Sequence, residues 1–250
     1  MRFPAIAFLL LFFPQLAIIL AYVPAILYTH DDFLIIDKPN GLAVQGGAGV
    51  KTSLVDLLEA EYGFKPWLVH RLDMETSGCI IVARSPRSAS ALSKLIAGSG
   101  VRKTYAALVA GEVPGTLTVI DTAVRAQGKL LNAKTHVARL WYGAGYSLLA
   151  CTLETGRMHQ IRQHCADAGF PIVGDGKYGN FKANRDFARK FGAKELFLHS
   201  WTLALPAPYN ARGEAPLPRH FTDFFAALGT EGIPVPADFS ALAPGEAVHG

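Results

Sequence analysis

Between two apolar runs, Trp67-Leu68-Val69 and Cys79-Ile80-Ile81-Val82-Ala83, the chain carries His70-Arg71-Leu72-Asp73-Met74-Glu75-Thr76-Ser77-Gly78. Polar residues packed this densely between strand-like runs mark a strand exit where side chains face a cleft, an ordinary hydrogen-bonded turn being the plainer alternative. Asp73 is the candidate catalytic carboxylate. A nucleophilic or acid–base aspartate must be held as an anion and in place, so it needs a cation beside it. Arg71 is too close along an extended segment to fold back. Arg157 is the better candidate: it lies in Thr155-Gly156-Arg157-Met158-His159-Gln160-Ile161-Arg162, at a predicted helix start, where a side chain can reach across a cleft. The plain alternative is a surface cation. Tyr105 lies in Arg102-Lys103-Thr104-Tyr105-Ala106-Ala107-Leu108. Aromatics within strands are usually core, but this one has basic residues on one side and apolar residues on the other.

Other constellations are weaker. Asp73 and Glu75 would stand about 7 Å apart on one strand face, within the range of a glycosidase carboxylate pair, but no sugar-binding aromatic platform lies nearby. His159 and His164 are five residues apart rather than the four of a helical metal face, so satisfied polar residues are expected there. Cys165 lacks the signature of a nucleophile. Lys177, Lys182, Arg185, Arg189, Lys190 and Lys194 interleave with Tyr178, Phe181 and Phe187. That stretch is either a solvated charged helix or a phosphate-contacting flank.

The elements that must position these residues follow from pattern. Tyr28 to Lys38 reads as the first strand, with Phe33–Lys38 buried, and Pro39-Asn40-Gly41 as a turn. Gly46-Gly47-Ala48-Gly49 lacks the phosphate-loop pattern. Ser53 caps a helix with Asp56 at its third position, Leu54, Leu57, Leu58 and Tyr62 on one face, and Gly63 at its end. Ser85-Pro86 starts a second helix, with Ala89, Leu92, Leu95 and Ile96 inward. Strands are expected at Arg102 to Ala110 and Glu195 to Leu205, with a hairpin of Lys134 to Tyr142 and Tyr146 to Glu154 closed around Gly143-Ala144-Gly145. A helix follows Thr155-Gly156, with Ile161, Cys165 and Ala168 inward, and a short one covers His220 to Leu228. Strands and few helices without βαβ alternation predict an α+β fold: a large, mainly antiparallel mixed sheet flanked by helices.

The 250 residues, half of them hydrophobic, suffice for a sizeable core. A net charge of +4 is compatible with a polyanionic partner. Three cysteines without a CxxC pair fit a reducing compartment and argue against structural zinc. Residues 1–22 form an apolar extension, read either as a signal or membrane anchor or as a translated upstream stretch absent from the native protein, the second being favoured. Residues 23–228 form the catalytic domain, and 229–250, rich in Ala, Pro and Gly, a flexible tail.

The central segment resembles the signature of RluA-type pseudouridine synthases, His70-Arg71-Leu72-Asp73-x-x-Thr76-Ser77-Gly78. The similarity runs in order along the chain: Ile35-Ile36-Asp37-Lys38-Pro39-x-Gly41-Leu42 before it, then Lys103-Thr104-Tyr105, Leu153-Glu154-Thr155-Gly156-Arg157-x-His159-Gln160-Ile161-Arg162, Pro171-Ile172-Val173-Gly174-Asp175-x-x-Tyr178-Gly179 and Leu198-His199-Ser200. The resemblance implies the pseudouridine synthase fold with a central RNA-binding cleft. The activity it implies is isomerisation of uridine in RNA, detaching uracil from its sugar and rejoining it through carbon after base flipping, with no metal and no organic cofactor. It assigns Asp73 as nucleophile, Tyr105 to stacking on uracil and to proton removal from the ring carbon, and Arg157 to the ion pair with Asp73. Arg71 would fill the space left by the flipped base, with Lys103, Arg162, Arg185 and Arg189 as further RNA contacts. The expected partner is structured ribosomal or transfer RNA. The expected protein is a cytoplasmic monomer, membrane-associated only through residues 1–22 if these are present. A non-catalytic RNA-binding protein using the same groove is the alternative reading.

Overall fold

The run Phe33-Leu34-Ile35-Ile36-Asp37-Lys38 shows why the sheet is buried on both faces. Successive side chains in a strand point to opposite sides. Leu34 and Ile36 join the larger of two hydrophobic cores, and Phe33 and Ile35 the smaller one. The computed structural model describes residues 24–98 and 100–230; the 1–22 extension and the tail beyond residue 230 lie outside the described residues.

Strands β1 (Ile26–Thr29) and β2 (Phe33–Lys38) are followed by α1 (Leu54–Tyr62), β3 (Trp67–Leu68), β4 (Ser77–Ala83) and α2 (Pro86–Ala97). Then come β5 (Arg102–Ala110), β6 (Val119–Ala126), β7 (Lys129–Gly143), β8 (Tyr146–Leu153) and α3 (Gln160–Asp167). The described chain closes with α4 (Phe181–Phe191), β9 (Leu198–Ala204), β10 (Arg212–Glu214) and α5 (Arg219–Ala227). The sheet order is β1-β2-β4-β9-β5-β8-β7-β6, with β3 beside β4 and β10 beside β9. Pairing is antiparallel except between β4 and β9, which are parallel. This is the mainly antiparallel mixed sheet that the pattern predicts.

The capping box at Ser53 and Asp56 is formed, and Gly63 ends α1 in a left-handed conformation. Three expectations change. Tyr28 to Lys38 is not one strand: His30 and Phe33 exchange backbone hydrogen bonds (2.9 and 3.3 Å) and turn the chain into a β1–β2 hairpin. Strand β7 starts at Lys129, five residues before the expected Lys134, because its first half, Lys129 to His136, pairs with the unpredicted β6. Gln127 (φ 51°) and Gly128 (φ 76°) make that turn, both left-handed as a two-residue hairpin requires. The polar outer face of β6, with Ile120, Val124 and Ala126 buried, hides it from a hydrophobicity scan. The third change is at α3, which begins at Gln160, so Arg157 lies in the loop ahead of it.

An aromatic cluster fixes α4 and α5 against the sheet: Phe187 stacks on Phe224 with ring centres 5.5 Å apart and meets Phe197 edge-on at 5.2 Å. No helix among the described residues is long and apolar enough to cross a membrane.

Candidate active site

The link from β3 to β4 carries Asp73, and backbone contacts set its course. His70 accepts the Ile81 amide at Nε2 (3.0 Å). Burial, helped by the Lys103 charge, pushes its pKa down to about 3, so it acts as a neutral acceptor. The Met74 carbonyl accepts from the Gly41 amide (2.9 Å) and from Lys38 Nζ (3.0 Å), and Asn40 donates to the Glu75 carbonyl. Lys38 is completely buried and gives its other two N–H groups to Pro39 and Leu42 carbonyls, each at 2.8 Å. Burial pulls its pKa down to about 7, against the nearby Asp73 and Asp37 charges. Downstream, Ser77 bonds His199 Nδ1 (2.9 Å). Gly78 (φ 101°) lies so close to the Ser200 backbone that no side chain fits there. Both ends of the Asp73 loop are therefore clamped, which limits how far the carboxylate can wander.

The opposite wall comes from the loop into α3. The Gln160 amide group accepts from Thr155 Oγ1 (2.8 Å) and the Arg157 amide (3.0 Å) and donates to the Lys134 carbonyl and Thr135 hydroxyl (both 3.0 Å). Gln163 and His164 bind β6 and β7 similarly, through Arg125, Thr122 and Thr135. These three buried polar side chains peg a short helix of low hydrophobicity to the long hairpin. His159 occupies the helix start with φ 53°, an uncommon conformation for a residue with a side chain. Its imidazole reaches Tyr178 Oη (3.0 Å) on one side and lies 3.6 Å from Asp73 on the other.

Asp73's ionic partner is Arg162, not Arg157. Arg162 Nη1 lies 3.3 Å from Asp73 Oδ2, and Nη2 3.2 Å from Glu75. Its Nε and Nη2 form a fork on Asp175 at 2.8 and 2.9 Å. Burial acts to raise the Asp175 carboxyl, but bonds from Arg162 and from the Tyr178 and Lys177 amides outweigh it and hold the pKa below its ordinary value. Arg157 is exposed instead, with Nε on the Asn132 carbonyl (3.3 Å). The physical reason is helical: Arg162 stands in the first turn of α3 and faces inward, whereas Arg157 precedes the helix. At 4% side-chain exposure, Arg162 is nearly buried, and it lines the Asp73 cavity.

Tyr105 is 7% exposed, and burial raises its phenol pKa well above the ordinary value despite a hydrogen bond with Ser200. It lines a cleft of about 1000 Å³ together with Arg71, Lys103, Glu154 and Arg157. Asp73 lies in an adjoining cavity of about 400 Å³ with Glu75, His159, Arg162 and Lys177. Arg71, exposed and without an ion pair among the described residues, lines both and stands at their junction. Lys103 is half-buried in the cleft wall. Arg185 and Arg189 lie on α4, away from this cleft, and Arg189 pairs with Asp186.

A family model for RNA pseudouridylate synthases matches residues 32–167. The chain belongs to the RNA pseudouridylate synthase family. It is 36% identical over 214 residues to an uncharacterised RNA pseudouridine synthase of Zymomonas mobilis, covering 79% of this chain and 95% of that protein. Against the ribosomal large subunit pseudouridine synthase C of Escherichia coli it is 33% identical over 223 residues, covering 82% and 70%. The solved structure of human RNA pseudouridylate synthase domain containing 4 superposes with a TM-score of 0.70 at 25% identity, covering 87% of this chain and 98% of that one. The chain is thus an isomerase of the class that converts uridine to pseudouridine in RNA.

Sequence reasoning missed Asp175, His159 and Tyr178 as parts of the site. Asp175 and Tyr178 stand in a matching motif but received no role, because nothing in a linear pattern says which cation a distant carboxylate will hold.

Proposed function

We propose that this enzyme isomerises uridine in large-subunit ribosomal RNA, with Asp73 as nucleophile. One observation carries the assignment: Asp73 opens onto a cavity while Arg162, itself immobilised by Asp175, grips one carboxylate oxygen. A carboxylate so oriented is presented for attack without a metal. The ribosomal target is favoured because the Escherichia coli relative is named for that substrate.

The target uridine leaves its stack at a cost of a few kcal/mol. Tyr105 receives the uracil, stacking being worth about 1–3 kcal/mol per base. Its raised pKa keeps the phenol protonated, which suits a platform better than a base. Arg71, at the mouth of both cavities, fills the vacated place in the RNA. Three buried free thiols, Cys79, Cys151 and Cys165, suit the cytoplasm.

The test is Asp73→Asn, which keeps the shape of the side chain. Pseudouridine formation in transcribed large-subunit RNA should fall by more than about a thousandfold, as for loss of a covalent nucleophile, with RNA affinity retained. A variant that turns over at a comparable rate would mean that Asp73 is not the nucleophile.

A further inference from the structure

The Asp73 cavity does not end at the active site. Gly176 lines it and also lines a second groove of about 290 Å³ along α4. A side chain at 176 would meet nothing within 4 Å, so Gly176 puts no side chain between the two. Cleft, Asp73 cavity and groove thus follow one another, joined at Arg71 and Gly176.

The groove combines an apolar floor with a basic rim. Phe187 and Ala188 lie along it, and Phe181 is 59% exposed at its edge. Phe181, Asn184, Arg185 and Ala188 recur at helical spacing and share one face of α4. Arg185 makes no ion pair among the described residues, and Lys194 supplies a second cation. The neighbouring acid Glu195 is engaged with the Lys194 amide (2.8 Å). Lys182, Asp186 and Arg189 pair with one another on a different face. The groove is also tied to the chemistry: Asn184 accepts from the Gly174 amide (3.1 Å) and donates to the carbonyl of Asp175 (3.0 Å), the residue that holds Arg162.

An exposed ring beside unpaired cations matches a flat aromatic group attached to an anion, and the volume is at the small end for organic ligands. We propose that this groove binds one unpaired nucleotide flanking the target uridine, its base stacked on Phe181 and its phosphate held by Arg185 and Lys194. The proposal rests on the RNA-modifying reading of the adjacent site. It separates Arg185 from the other cations of the basic stretch, which a charge count treats alike.

The experiment measures binding of transcribed large-subunit ribosomal RNA across a salt series, and pseudouridine formation on the same transcript, for wild type, Phe181→Ala, Phe181→Trp, Arg185→Ala and Lys182→Ala. All substituted residues are exposed, so the fold is retained. Phe181→Ala and Arg185→Ala should each raise Kd about tenfold, the size of one lost base stack or phosphate contact. Arg185→Ala should also lower the salt slope by about one. Phe181→Trp should bind like wild type, and Lys182→Ala within about twofold of it. Wild-type affinity in Phe181→Ala and Arg185→Ala, or an equal loss in Lys182→Ala, overturns the groove. Wild type that fails to bind the transcript overturns it too. Weakened binding without pseudouridine in wild type would leave the groove standing and remove the ribosomal target instead.

Discussion

Arg162 should be the most costly cation in the protein to lose, for two separable reasons. Arg162→Met leaves Asp175 charged, 1% exposed and stripped of a two-bond fork, and it leaves Asp73 without its ionic contact. Two hydrogen bonds to a charged group at about 1.5–3 kcal/mol each bracket the loss at Asp175. Breaking a buried pair from one side typically costs about 3–5 kcal/mol, so a loss near 4 kcal/mol is expected. Asp175→Asn in the same chain removes the orphaned charge and keeps an acceptor for the Lys177 and Tyr178 amides. The double variant should therefore recover about 2 kcal/mol or more. It should recover no activity, because Asp73 still lacks its cation. The assay is urea denaturation of wild type, both single variants and the double, with pseudouridine formation measured on each. Recovery of activity together with stability would refute the reasoning, since the role of Arg162 would then be structural only. Arg157→Met, by contrast, should unfold at a urea concentration close to wild type, as an exposed cation on one carbonyl permits.

Two further outcomes follow from burial. His70 has a folded pKa near 3 and an ordinary value of 6.5, so the unfolded chain takes up a proton that the folded one refuses. Its contribution is complete above pH 6.5 and is lost as pH falls toward 3, worth about 2 kcal/mol after allowance for its partial contact with water. His70→Gln should flatten the fall of urea stability between pH 6.5 and 4; an unchanged slope would mean that another group carries it. Tyr105→Phe keeps the ring and should bind the RNA transcript with wild-type affinity, whereas Tyr105→Ala should raise Kd about five- to a hundredfold. Equal binding by both would exclude the stacking role.

Much of the fold was legible because its signals are local. The Ser53 cap, the Ser85-Pro86 helix start and the all-apolar Cys79 to Ala83 run depend on residues near in sequence, and the structure contains each. Strand β6 was not legible, since its pairing with β7 is a relation between two segments and its own face to water is polar. The same divide runs through the site. Residue order made Asp73 one candidate carboxylate among several, in a dense polar segment between two apolar runs, and the family resemblance singled it out. Which arginine reaches it was a question of direction in space. Arg157 and Arg162 share one motif, five residues apart, but α3 starts only at Gln160 and turns Arg162 inward onto Asp73 and Asp175 while Arg157 stays in the loop. Spacing along a chain names the groups that chemistry needs; only the packed helix, pegged by Gln160, Gln163 and His164, decides which of them meet.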